Sequence, residues 1–166
     1  MSDSISAEIK KRIENIEPGK IIFTSDFTDI SNLTTTRQCL GRLAREGIIR
    51  RVMDGVYEKP VHSDLLNIDI PTDPDVVAYA IADKYHWTIA PCGDLALNKL
   101  GLSTQVPVVW SYISDGPYRE FKWENITISY KHRTNRAISQ ISELTIMIIE
   151  ALKTLGKNNI DTKVIS

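Results

Sequence analysis

Asp54-Gly55 restricts the fold more than any other feature of this chain. It stands between two β-prone runs, IIRRVM (Ile48–Met53) and VYEKP (Val56–Pro60), and Asp-Gly suits both positive φ angles of a type I′ turn. The spacing therefore predicts a tight β-hairpin. Closing Met53 on Val56 sets Arg51 opposite Glu58 and Arg50 opposite Lys59. Arg51 is then expected to form a cross-strand pair with Glu58, leaving Arg50 and Lys59 to concentrate positive charge on the other face.

The segment before the hairpin reads as a helix. From Thr34 the apolar positions Leu40, Leu43, Ala44 and Ile48 form one stripe, ended by Gly47 and the β-branched pair Ile48-Ile49. Thr35, Gln38, Arg42 and Arg45 occupy the opposite face, with Arg37 at its edge. Whole-chain charge gives no hint of this, because 20 basic side chains balance 21 acidic ones over 166 residues. From Thr34 to Arg51, however, five arginines meet one acid, Glu46, a local balance of +4. Such a face is either an ordinary solvated one or a nucleic-acid footprint. Gly41, in mid-helix, costs about 1 kcal/mol relative to alanine. Close packing against a neighbouring helix is the preferred explanation for it, and close approach to DNA the other.

Upstream, Ile5, Ile9, Ile13 and Ile16 predict a first helix stopped by Glu17-Pro18-Gly19. KIIF is a short strand. TSDF opens a brief second helix, capped by Thr24 or Ser25 and ending near Ile30. Helix, short strand, helix, helix and two-stranded wing is the chain order of a winged helix-turn-helix. Residues 1–62 are assigned to that DNA-binding domain, 63–72 to an acidic, proline-containing linker, and 73–166 to a small α+β domain with an antiparallel sheet. In this second part Asp73 and Pro74 open a helix, Asp94 caps another, and Gly101 ends it. Three β-rich runs from Val106 read as an antiparallel meander. A final helix is expected from about Ser139 to Leu155, apolar all round at IMII, and NNIDTKVIS reads as the start of a further helix, so the native chain is expected to continue beyond Ser166.

The DNA contacts expected from this pattern are Thr35, Arg37, Gln38, Arg42, Arg45, Arg50, Arg51 and Lys59. Guanidinium forks suit guanine edges and phosphates, and Thr and Gln add shorter polar contacts. Counting Arg37, Arg42, Arg45, Arg50 and Lys59 toward the backbone gives about four neutralised phosphates per protomer. One such module reads few base pairs, so two protomers are expected on an operator repeat.

LGRLAREGIIRRVMDGVYEKP, followed by PCGDLALNKLGLSTQVPVVWSYISDGPYREFKWENITISYKHR, resembles the small AbiEi-type antitoxins, including a group known only as a domain of unknown function. Arg42, Leu43, Gly47, Ile49, Arg51, Gly55 and Tyr57 match the wing pattern. Leu100–Pro107 and Asp115-Gly116 match later segments, and the resemblance runs from Ile9 to Gly156. It implies the transcriptional repressor and antitoxin of a type IV toxin-antitoxin, or abortive-infection, system. The second domain would counteract a nucleotidyltransferase-like toxin. A partner-contact role for Ser103, Thr104 and Gln105 stands beside a local turn as the reading of LGLSTQVP. Lys131, Arg133 and Arg136, with His132, form a second basic cluster suited to an acidic partner, to DNA, or to solvent.

Other function classes find less support. Asp115, Glu120 and Lys122 mimic the carboxylate-lysine order of metal-dependent nucleases, but Asp115 sits where a turn wants Asp. His62, His86 and His132 are scattered, Cys39 and Cys92 stand alone, and no nucleotide-binding or nucleophile-elbow motif occurs. No enzyme, cofactor or metal is expected. A module that neutralises a toxin without touching DNA is the alternative. The polar N-terminus and the lack of an apolar run near eighteen residues point to a cytoplasmic chain with no membrane segment.

Overall fold

The computed structural model describes residues 2–134 and 141–165 of an α+β chain. It divides into two compact units, Met1–Val77 and Ala78–Ser166.

The first unit opens with α1 (Ser2–Glu14), whose four-residue isoleucine spacing buries Ile9 and Ile13 completely. β1 (Ile21–Phe23) comes next, then a single 3₁₀ turn at Thr24–Phe27. The brief second helix expected to reach Ile30 stops at that turn. The Asp26 carboxylate accepts from the Phe23 amide at 2.9 Å and so holds the segment in a tight local ring. α2 spans Leu33–Arg45, and the hairpin of β2 (Arg50–Met53) and β3 (Val56–Glu58) completes a sheet ordered β1-β3-β2. Ile9, Ile13, Ile22, Phe27, Leu40, Leu43, Ile49 and Tyr57 form the core. Each large side chain removed from water here stabilises the fold by about 1.5–3 kcal/mol. Arg12 ties α1 to the segment before α2 through a two-pronged contact with Asp29 at 2.7 and 3.0 Å. That contact holds the Asp29 carboxyl below its ordinary value.

The hairpin departs from the expected geometry. Met53 does face Val56, but Gly55 alone takes positive φ, at 73°, so the turn is not type I′. A bulge between Arg51 and Met53 then shifts the register, setting Arg51 against Tyr57 and Arg50 against Glu58. Arg50, rather than Arg51, therefore pairs with Glu58, at 2.7 Å, and the same guanidinium donates to the Ile70 carbonyl. Glu58 is buried and also accepts from the Thr72 hydroxyl at 2.6 Å. Lys59 is committed as well, with its ammonium donating to the carbonyls of Ile13, Glu14 and Ile16. These are the orphan acceptors at the negative end of α1.

Residues 63–72, expected as a linker, fold as part of this unit. β4 (His62–Ser63) pairs with β5 (Ile68–Asp69), and bonds from Arg50 to Ile70 and from Thr72 to Glu58 anchor the residues after β5. Proline and acid content gave no sign of the 3.0 Å contact between His62 and Asp69 that helps hold this turn.

The helix α3 spans Pro74–Lys84, with Asp73 at its N-terminus as expected. The second unit adds β6 (Ile89–Pro91), α4 (Gly93–Lys99), β7 (Val109–Ser114), β8 (Arg119–Trp123), β9 (Ile126–His132) and α5 (Glu143–Ile165). Cys92, not Asp94, is the N-cap of α4. The start of the last helix expected at Ser139 lies outside the described residues. NNIDTKV continues α5 and does not begin a new helix.

The strands run β6-β7-β9-β8, with β9 parallel to β7 and antiparallel to β8, so they are not a meander. The turn after β7 is held at Ser114–Gly116. Asp115 accepts from the Thr88 amide at 2.8 Å, and a Cβ on Gly116 would sit 2.5 Å from the Trp87 ring. These contacts tie the turn after β7 to the segment before β6, and β9 occupies the place beside β7. On one face, Tyr112 and Tyr130 are fully buried, and the Tyr130 hydroxyl donates to the Ala78 carbonyl at 2.6 Å. On the other, Ile113 packs with Ala90, Cys92 and Ile146 of α5.

The paired Glu58 generates a stability prediction. Arg50→Met should strand a carboxylate whose side chain is 7% exposed. Because Arg50 itself is 31% exposed, we expect a loss of about 2–3 kcal/mol in urea denaturation, below the full cost of breaking a buried pair. An unchanged midpoint would contradict the structural role.

Candidate nucleic-acid interface

The α2 helix presents two unlike faces. Thr36, Cys39, Leu40 and Leu43 are buried. Thr34, Gln38, Gly41 and Arg45, separated by four, three and four positions, line up on the opposite side, with Arg37 on one flank and Thr35 and Arg42 on the other. The Asn32 side chain accepts from the Thr35 amide at 2.8 Å and fixes the first turn. Arg37, Gln38, Arg42 and Arg45 are exposed. Among the described residues, none of the three arginines has a hydrogen-bond or ion-pair partner. Thr34, absent from the expected contacts, heads the outer line, and helical period alone would have placed it there.

Gly41 lies in the middle of this line. A Cβ built there meets no heavy atom within 4 Å, so close helix packing is not the reason for the glycine. Instead, Gly41 and Gly47 open onto a groove of about 570 Å³ between α2 and the hairpin, lined also by Arg45, Arg50, Arg51 and Tyr57. Arg51 is 61% exposed, and its one ion-pair contact among the described residues is with Asp54 at 3.4 Å.

Of the eight residues expected to meet DNA, six remain available to a ligand: Thr35, Arg37, Gln38, Arg42, Arg45 and Arg51. Arg50 and Lys59 are occupied by Glu58 and by the end of α1. The available guanidinium groups lie on one helix and one hairpin of the same unit, where they can make charge-assisted bonds to phosphates or base edges.

The second set of expected contacts is placed differently. Ser103, Gln105, Lys131 and Arg133, well separated in sequence, line one cavity of the second unit, whereas Thr104 is exposed and does not line it. Arg136 lies outside the described residues. The Asn98 side chain donates to the Gln105 carbonyl at 2.9 Å and the Gln105 amide to Ser103 Oγ at 3.3 Å, which accounts for the local shape of STQ. Asp115 is engaged by Thr88, and Glu120 accepts from Tyr118 at 2.8 Å. Among the described residues no group of three or more His, Cys, Asp or Glu side chains could hold a metal ion, and no helix is long and apolar enough to cross a membrane.

No curated protein matches the chain. A family model described as a family of unknown function, DUF6088, matches residues 8–166. Its match takes in the basic helix, the hairpin and the whole of the second unit, and the chain belongs to the DUF6088 family.

Proposed function

We propose that this protein is a sequence-specific DNA-binding repressor of its own operon, with residues 1–62 acting as a winged helix-turn-helix and α2 as the helix that enters the major groove. The observation that carries the reading is the unpaired state of Arg37, Arg42 and Arg45 around a glycine-centred outer line. Arg50 and Lys59 of the same segment, by contrast, serve the fold. An ordinary solvated helix face gains from neighbouring acids at i±4, and here the one such acid, Glu46 at i+4 from Arg42, forms no ion pair among the described residues. This one presents hydrogen-bond donors and, at Gly41, bare backbone. Two protomers on an operator repeat supply the length of site that a single module lacks. From the resemblance of the wing and LGLSTQVP segments to AbiEi-type antitoxins, we further propose that the chain is the antitoxin of a toxin-antitoxin pair and acts in the cytoplasm.

Arg42→Ala with Arg45→Ala should lower affinity for the protein's own upstream DNA by about tenfold or more, since each removes a charge-assisted contact. The melting temperature should barely move, because both side chains are exposed and unpaired. Unfolding in place of lost binding would make them structural.

The salt response is smaller than the raw sequence count implies. With Arg50 and Lys59 engaged internally, Arg37, Arg42, Arg45 and Arg51 remain, and if one of them reads a base about three phosphates are neutralised. The log–log slope per protomer should then be roughly −2.7, an affinity loss of about fortyfold between 50 and 200 mM salt. A flat response in a gel-shift or anisotropy titration would refute phosphate contact by this face.

Gly41→Ala separates fold from function. With open space around the site, alanine should stabilise the helix by about 1 kcal/mol. It should also weaken DNA binding by holding the backbone away. A rise in melting temperature with unchanged affinity would remove this part of α2 from the interface.

A further inference from the structure

The cavity that gathers Ser103, Gln105, Lys131 and Arg133 has a volume of about 840 Å³, within the range of small-molecule sites. Its chemistry is divided. Lys131 lies near the end of β9 and Arg133 directly follows it, two positions apart, and both line the same cavity. Among the described residues neither pairs with a carboxylate, and the one bond of the Arg133 guanidinium goes to the neighbouring His132 carbonyl. Across the cavity, Glu150 of α5 is 8% exposed, with the flexible ammonium of Lys153 at 3.3 Å as its partner. The third wall is apolar: Val106, Pro107 and Val108, with the two valines 73% and 75% exposed.

The two charge types converge. The Cys92 thiol, at the N-terminus of α4, is pushed up to about 11, chiefly by burial. Lys131 and Arg133 oppose that rise and Glu150 adds to it. One buried atom thus feels all three groups. A simple anion would satisfy the cations but meet an unfavourable neighbour in the Glu150 carboxylate, which has roughly four acceptor sites and, among the described residues, fills few of them with Lys153. The fitting ligand carries a phosphate at one end, N–H donors at the other, and a flat apolar surface between.

We propose that this cavity binds a mononucleotide, its phosphate held by Lys131 and Arg133, its base lying on the Val106–Val108 wall and donating N–H groups to Glu150. Guanidinium and ammonium groups favour phosphate, and a carboxylate accepting from base amino groups is an established pairing. The site requires no contribution from α2, so it stands independently of the DNA reading.

Isothermal titration of the full chain with AMP, GMP, CMP and UMP, beside ribose 5-phosphate and inorganic phosphate, tests it in the absence of DNA. At least one nucleotide should bind at least tenfold more tightly than ribose 5-phosphate. Lys131→Ala with Arg133→Ala should weaken that nucleotide by tenfold or more without changing the ligand-free melting temperature, since both side chains are exposed. Glu150→Gln should cut nucleotide affinity while leaving ribose 5-phosphate binding unchanged or tighter. Absence of nucleotide binding at millimolar concentration overturns the proposal. So does equal affinity for inorganic phosphate, or full affinity in the Lys131/Arg133 double variant. Because the titration holds no DNA, either result leaves the gel-shift outcome for α2 to be judged separately.

Discussion

The buried carboxylate of Glu58 is the constraint on which the first unit depends. A charge removed from water needs a partner with good geometry, and Glu58 has two, the Arg50 guanidinium and the Thr72 hydroxyl. Meeting that need fixes the bulged register of β2 on β3 and draws in residues 70–72, where composition alone suggested a linker. It also sorts the arginines of the basic segment. Arg50 becomes part of the framework, Arg51 is moved opposite Tyr57 and outward, and the cations left for a ligand are those with no such obligation.

Lys59 works in the same way at the other edge of the sheet. Its three bonds to carbonyls at the end of α1 join the first helix to the strand after the hairpin. The core beneath is formed by isoleucines from α1 and by Leu40 and Leu43 of α2. Helix, 3₁₀ turn and basic helix are therefore held by apolar packing, and the half-buried Lys59 adds a tie between α1 and the strand after the hairpin. Among the described residues Arg37, Arg42 and Arg45 on the outer side of α2 have no hydrogen-bond or ion-pair partner, which leaves them available for the recognition role proposed above.

In the second unit, the two sheet faces have different roles. The face bearing Tyr112 and Tyr130 is a dry aromatic layer, with Trp87 and Phe121 edge-on to Tyr130. The opposite face is covered at Ile113 by α5, but near Ser111 and Lys131 it opens into the polar cavity. The parallel alignment of β7 with β9 makes this arrangement. It sets Ser111 beside Ser129 and Ile113 beside Lys131, so one strand pair passes from apolar cover to charged rim.

Sequence alone was sufficient for features that depend on neighbours along the chain. The isoleucine spacing of α1, the apolar stripe and Gly47 stop of α2, the Met53–Val56 closure and the Asp73-Pro74 helix start all arise from short-range sterics, capping and periodicity. So did the location of the basic helix face. Interactions between distant residues decided the rest. The Arg50–Glu58 register depended on a bulge and on Thr72, and the role of Lys59 on carbonyls more than forty positions away. The parallel β7–β9 pair depended on pairing between strands separated by β8, and the cavity on bringing Ser103, Lys131 and Glu150 together. A local pattern fixes which residues are apolar, charged or able to turn. Which charge is neutralised, and which remains free to act, is settled only when long-range packing determines what each one touches.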